Sequence, residues 1–186
     1  MSIKDILTEK RSVILGRWFD SIVDGYPADT AKFIKGQKDR FANPVGSTIL
    51  KGIEDIFDEI LAGGDKERVS EFLDNVVRIR AVQDFTPSES VSFIFLLKKI
   101  IREELKSGQY EPDELVSFEA EIDSLALLSF DIFMKCRERL FEVKMNEFRN
   151  MTNRLLRMAD LVSEVKDEDF KEDLNILKAQ RKEVTK

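Results

Sequence analysis

No glycine or proline occurs between Pro112 and the end of the chain. These residues interrupt helices for different reasons: glycine gives up too much backbone entropy, and proline lacks an N–H and clashes with the preceding turn. A stretch this long without either predicts a continuous helix rather than short strands joined by turns. The rest of the sequence agrees, since 8 Gly and 4 Pro in 186 residues supply too little turn chemistry for a sandwich or barrel. Charged residues make up 35% of the chain, which suits helices with long solvated faces. The expected fold class is all-α.

Caps and stops divide the chain before Pro112 into helices. Ile3, Leu7, Ile14, Trp18 and Ile22 recur at helical spacing along one amphipathic segment that stops at Gly25-Tyr26-Pro27. A short helix is expected from Ala28 to Lys35, ended by Gly36. Asn43 is placed to cap a helix with Pro44 at its first position, Ile49, Ile53, Ile56, Phe57 and Ile60 on its core stripe, and Gly63-Gly64 at its end. Asp65 caps the next helix, whose apolar positions are Val69, Phe72, Leu73, Val76, Val77 and Ile79. The strongest boundary lies in Arg80-Ala81-Val82-Gln83-Asp84-Phe85-Thr86-Pro87-Ser88-Glu89. Thr86 is an N-cap, Pro87 fits the first helical position, and Glu89 completes a capping box. The run from Val91 to Arg102 is apolar enough on every side to predict the central buried helix, ending near Lys106 with Gly108 as its C-cap.

Beyond Pro112 the apolar pattern changes phase. Phe118, Ile122, Leu125, Ile132, Cys136 and Val143 follow one stripe, widened by Leu127, Leu128, Phe130 and Phe133 as a core-facing helix requires. After Leu140 the seam narrows to Phe141, Met145, Phe148, Thr152, Leu155, Ala159 and Val162. Its steps alternate four and three, about three heptads of coiled-coil pattern. The expected organisation is a helical domain over residues 1–140 and a helical extension over 141–186, coiled-coil-like and then charged. Homodimerisation through Phe141, Met145, Phe148, Leu155 and Val162 is expected, because an exposed apolar stripe marks an interaction surface. Folding of the seam back onto its own domain is the alternative.

Composition excludes several functions. The chain has no histidine, which removes the ordinary proximal haem ligand, imidazole metal sites and Ser-His or Cys-His pairs. A net charge of −6 argues against nucleic-acid or anionic-membrane binding. The most apolar run, Val91 to Leu97, is far short of the roughly 20 residues that span a bilayer, and the N-terminus lacks a signal-peptide apolar block. The single Cys136 falls on the apolar stripe and reads as a buried, inert thiol in a reducing compartment. The expected protein is therefore soluble and cytoplasmic, and not an enzyme, with no catalytic, cofactor-binding or metal-binding residue. Lys35, Lys38 and Arg40, and likewise Lys98, Lys99 and Arg102, read as solvated charge. The 14 Phe residues read as core filling.

Several motifs together resemble the N-terminal domain of the RsbR-D family, co-antagonists in bacterial stress signalling. They are Trp18, Tyr26-Pro27, Lys38-Asp39-Arg40-Phe41-Ala42-Asn43-Pro44-Val45-Gly46, Ile79 to Ser88, Phe93, and Leu96 to Arg102. The likeness covers roughly residues 8 to 140. It implies a globin-like helical bundle without haem, often dimeric, that precedes an output domain of the STAS type acting on a switch kinase. Only about twenty residues follow Val165, too few for such a domain. The function expected is thus a stand-alone signalling sensor or adaptor working through protein–protein contacts with an unidentified regulatory partner. The alternative is a structural or assembly subunit that docks to a larger complex through its long C-terminal helix.

Overall fold

The computed structural model describes residues 2–83, 85–105 and 110–158. Among the described residues are seven helices and no strand: α1 (Ile3–Glu9), α2 (Arg11–Val23), α3 (Ala28–Gly36), α4 (Pro44–Ala62), α5 (Lys66–Val82), α6 (Pro87–Glu104) and α7 (Pro112–Met158). The protein is all-α. It divides into two units, Met1–Leu140 and Phe141–Lys186, with the division inside α7. The buried apolar core, from Ile3 to Cys136, belongs to the first unit.

Local chemistry sets the helix starts. Ser2 and Asp5 form a capping box at α1, and Asp65 accepts from the Arg68 amide at 3.0 Å to open α5. At α6 both halves of the Thr86–Glu89 box are made: the Glu89 amide donates to Thr86 Oγ1 at 3.3 Å, and the Thr86 amide donates to Glu89 Oε2 at 2.8 Å. Gly63, at φ 119°, ends α4 in the left-handed conformation that favours glycine.

The Asn43-Pro44-Val45-Gly46 motif joins two helices. Asn43, 4% exposed, accepts from the Gly46 amide at 2.9 Å while its Nδ2 donates to the carbonyls of Ile34 and Gln37, each at 2.9 Å. One amide side chain thus caps the start of α4 and satisfies carbonyls at the end of α3. Gly46 leaves it room: a Cβ there would lie 2.4 Å from Asn43 Nδ2.

Two features differ from the sequence reading. The first amphipathic segment is two helices, α1 ending at Glu9 and α2 starting at Arg11. Ile3, Leu7, Ile14, Trp18 and Ile22 stay buried across the break, because α1 and α2 pack on the same core and share an apolar phase. Lys10 sits at the junction, its ammonium donating to the Glu104 carbonyl at 2.6 Å. Nor is α6 buried all round. Ser92, Phe95, Lys99 and Arg102 lie exposed, Phe95 by 49%. Its buried face (Phe93, Ile94, Leu97, Ile100 and Ile101) packs against α2 and α5. The central element is instead α2, which packs against α1, α3, α4 and α6 and carries the fully buried Trp18. The Trp18 indole N–H donates to the Phe93 carbonyl at 2.7 Å, tying α2 to α6. The expected α6 stop at Lys106 and Gly108 lies outside the described residues, and the helix ends at Glu104 with Leu105 as its cap.

The α4–α5 pair is the most extensively packed. Its closeness depends on Gly52, where a Cβ would fall 2.3 Å from Val76 Cγ2.

Candidate functional site

The seam read from the heptad spacing lies in the second unit. Phe141, Phe148 and Leu155 are 63%, 58% and 58% exposed, and Met145 is half-buried. Val162 and Ala159 fall outside the described residues. Between Phe141 and Met158 no residue is buried. Met151 and Met158 are also exposed and flank this face, so it is broader than the heptad positions alone; the exposed Val143 lies on the opposite side of the helix.

A second arrangement escaped the sequence reading. Arg80, in the last turn of α5, is 3% exposed. It follows Leu73, Val76 and Val77 on the buried face of that helix, so a charge occupies a position where the helical phase calls for an apolar residue. That mismatch is the available signal, although at the sequence level the motif supplies a helix boundary and a family resemblance. The guanidinium is walled by rings, its carbon lying 4.3 Å from the centre of Phe85, 5.7 Å from Tyr26 and 5.8 Å from Phe93. Tyr26 meets Phe85 edge-on at 5.1 Å. Such cation–π contacts attract the charge but do not neutralise it.

The polar partners are incomplete. Arg80 Nη2 donates to the Glu89 carbonyl at 3.1 Å. Arg80 Nε and Nη1, the Tyr26 hydroxyl, Gln83 Oε1 and Ser90 Oγ are all buried without a well-formed hydrogen bond, although the Tyr26 hydroxyl lies close enough to Arg80 and Gln83 to interact with both. Among the described residues no carboxylate pairs with Arg80. The nearby Glu89 carboxylate is engaged by the Thr86 hydroxyl and amide, which hold its pKa below the usual range. Burial lowers the Arg80 pKa and raises that of Tyr26. An arginine nonetheless keeps its proton at physiological pH, so the cluster holds a positive charge.

The other candidates are quieter. Cys136 is buried, and burial foremost pushes its thiol pKa up. Of the basic groups, Lys98 and Arg102 reach Asp123 at 2.9 Å and Glu119 at 2.7 Å on α7, and Lys35 reaches Asp24 at 2.8 Å. These three charges are paired, while Lys38, Arg40 and Lys99 stand exposed. A groove of about 750 Å³ is floored by Val69, Leu125 and Leu128 and edged by Glu67, Glu121 and Asp131. None of its polar side chains is both buried and unpartnered. Among the described residues no group of His, Cys, Asp and Glu is spaced to hold a metal ion, and no helix is long and apolar enough to cross a membrane.

Comparison with known proteins places this geometry in a family. A protein of Archaeoglobus fulgidus recorded as uncharacterized is 24% identical over 140 residues, covering 74% of this chain and 83% of that protein. No solved structure matches the chain. Residues 12–147 match the domain described as the RsbT co-antagonist protein rsbRD N-terminal domain. That span holds the helical core from α2 onward, the Asn43 junction and the Arg80 cluster. The chain therefore belongs to the RsbRD N-terminal domain family of stress-signalling regulators.

Proposed function

We propose that this protein is a non-enzymatic signalling sensor or adaptor that acts through protein–protein contacts and forms a homodimer through the helical seam after Leu140. One observation carries the reading. Phe141, Phe148 and Leu155 stand more than half exposed at one heptad position, in a stretch with no buried residue among the described ones. Water does not favour such a stripe, and a second copy presents the same stripe to cover it. Family membership supports the regulatory role. The first unit is read as a haem-free globin-like sensor domain. Protein from iron-replete cells is expected to show no Soret band, and a stoichiometric band would refute that part.

The seam is tested by Phe148→Glu with Leu155→Glu in sedimentation equilibrium. Burying unpaired carboxylates in an apolar seam is costly, so the double variant is expected to shift to monomer. A wild type that sediments at 21.5 kDa across micromolar concentrations refutes the dimer. A dimeric wild type matched by an equally dimeric variant places the interface elsewhere.

A further inference from the structure

We propose that the Arg80 cluster is a binding site for a small free carboxylate, the size of formate or acetate.

Among the described residues, every buried side-chain N or O atom lacking a hydrogen-bond partner belongs to this one neighbourhood. Buried polar groups are nearly always satisfied, and each exception calls for a cause. Here five such atoms come from three separate segments: Tyr26 after α2, Arg80 and Gln83 at the end of α5, and Ser90 in the first turn of α6. Folding brings Tyr26 and Gln83 to this guanidinium, the Tyr26 hydroxyl interacting with both, and Ser90 follows Glu89, whose carbonyl accepts from Arg80. Among the described residues that guanidinium meets three aromatic rings, the Tyr26 hydroxyl and one carbonyl, and pairs with no carboxylate.

The chemistry of the group specifies the ligand. A buried charge is costly unless paired, so the missing partner is an anion; a water molecule would fill hydrogen bonds but leave the charge unpaired. Arg80 Nε and Nη1, the Tyr26 hydroxyl and the Ser90 hydroxyl are donors suited to carboxylate oxygens. Gln83 offers its amide N–H as well after a half-turn about its terminal bond. The single fixed charge matches a monoanion. Tyr26, Phe85 and Phe93 crowd the guanidinium, so only a small guest could reach it.

This inference does not depend on the seam, since it concerns the first unit and is read on the purified chain whatever its oligomeric state. The experiment replaces sodium chloride by sodium formate or acetate at constant ionic strength and follows thermal unfolding. Fluorescence of the one tryptophan is recorded in parallel, because Trp18 stacks on Phe93 at 6.2 Å. Wild type is expected to show a saturable rise in Tm, roughly 5–10 °C at about one hundred times Kd. Tyr26→Phe and Ser90→Ala are expected to lose most of that rise. Both changes are small enough to keep the fold, and they separate the alternatives. If the hydroxyls are merely unsatisfied, removing them raises stability and leaves any salt response unchanged, which overturns the proposal. Identical Tm values in chloride and carboxylate also overturn it. Asp84, outside the described residues, supplies the last arm. If wild type is unresponsive and Asp84→Asn becomes responsive, the chain's own carboxylate fills the role and the free ligand is refuted.

Discussion

The same substitution at two glycines is expected to change stability in opposite directions. Gly16 sits exposed in the middle of α2, and a Cβ there would meet nothing within 4 Å. Gly16→Ala should therefore gain the full helix-propensity difference, about 1 kcal/mol. Gly52 is equally helical, yet its added Cβ would fall 2.3 Å from Val76 Cγ2. Carbon atoms pack at about 3.5–4.0 Å, so α4 and α5 must part by more than an ångström or Val76 must leave its rotamer. Val76 is fully buried and stiff at χ1. Overpacking of this kind costs about 1–3 kcal/mol, and the propensity gain offsets about 1 of it, leaving Gly52→Ala destabilised by about 1–2 kcal/mol. A double-mutant cycle isolates the clash. Val76→Ala alone leaves a cavity, but beside Gly52→Ala its lost methyls make room for the new one, giving a favourable coupling of about 1 kcal/mol or more. Urea unfolding followed by circular dichroism gives all four values. If Gly52→Ala stabilises as Gly16→Ala does, or if the two changes simply add, close contact of α4 with α5 does not explain Gly52.

Asn43→Asp is expected to destabilise by about 1–3 kcal/mol although Asp caps helices as well as Asn does, because a carboxylate cannot donate to the Ile34 and Gln37 carbonyls; equal urea midpoints for the two proteins would contradict this. Acid should weaken the fold. Arg17 foremost, then Lys10, hold the Glu104 pKa below 4.5, Arg102 does the same for Glu119, and Arg11 lowers Asp58 from 3.8. Folded values below unfolded ones mean that this stabilisation is complete above the unfolded pKa and is lost as pH falls through the folded values. Unfolding free energies measured from about pH 6 to pH 3 should decline, and Glu104→Gln should flatten the decline at a cost of at most about 1 kcal/mol; an unchanged slope would refute the assignment. Cys136, buried and with its pKa raised, should react with a thiol reagent at about pH 8 far more slowly than a free cysteine and reach the ordinary rate in denaturant; prompt reaction of the native protein would show that it is accessible.

The features readable from sequence were those written in short stretches. Thr86-Pro87-Ser88-Glu89, Asn43-Pro44 and Gly63-Gly64 each fix a helix end by contacts within a few residues, so local chemistry sufficed. The break at Lys10 was hidden because α1 and α2 keep one apolar phase across it. The exposed side of α6 was hidden because Phe95 is as apolar as its buried neighbour Phe93, and composition cannot say which faces α2. The heptad seam is a pattern along one helix, and so was visible. The Arg80 cluster is not such a pattern: Tyr26 lies far in the chain from Arg80 and Gln83, and they meet only when the helices pack. Asn43 falls between these cases. Its cap was legible, but its bonds back to α3 were not, since nothing in the sequence says which carbonyls a buried amide will find.

Those bonds bear on how the molecule opens. α3 has nine residues and buries only Ile34, too little to persist as an isolated helix in water. Its final carbonyls are held by a side chain belonging to the next helix. Its amide protons should accordingly be shielded from solvent deuterium as long as those in the first turn of α4, and both sets should exchange in one concerted opening. A helix that frayed by itself would lose its protons first; here its lifetime is borrowed from its neighbour.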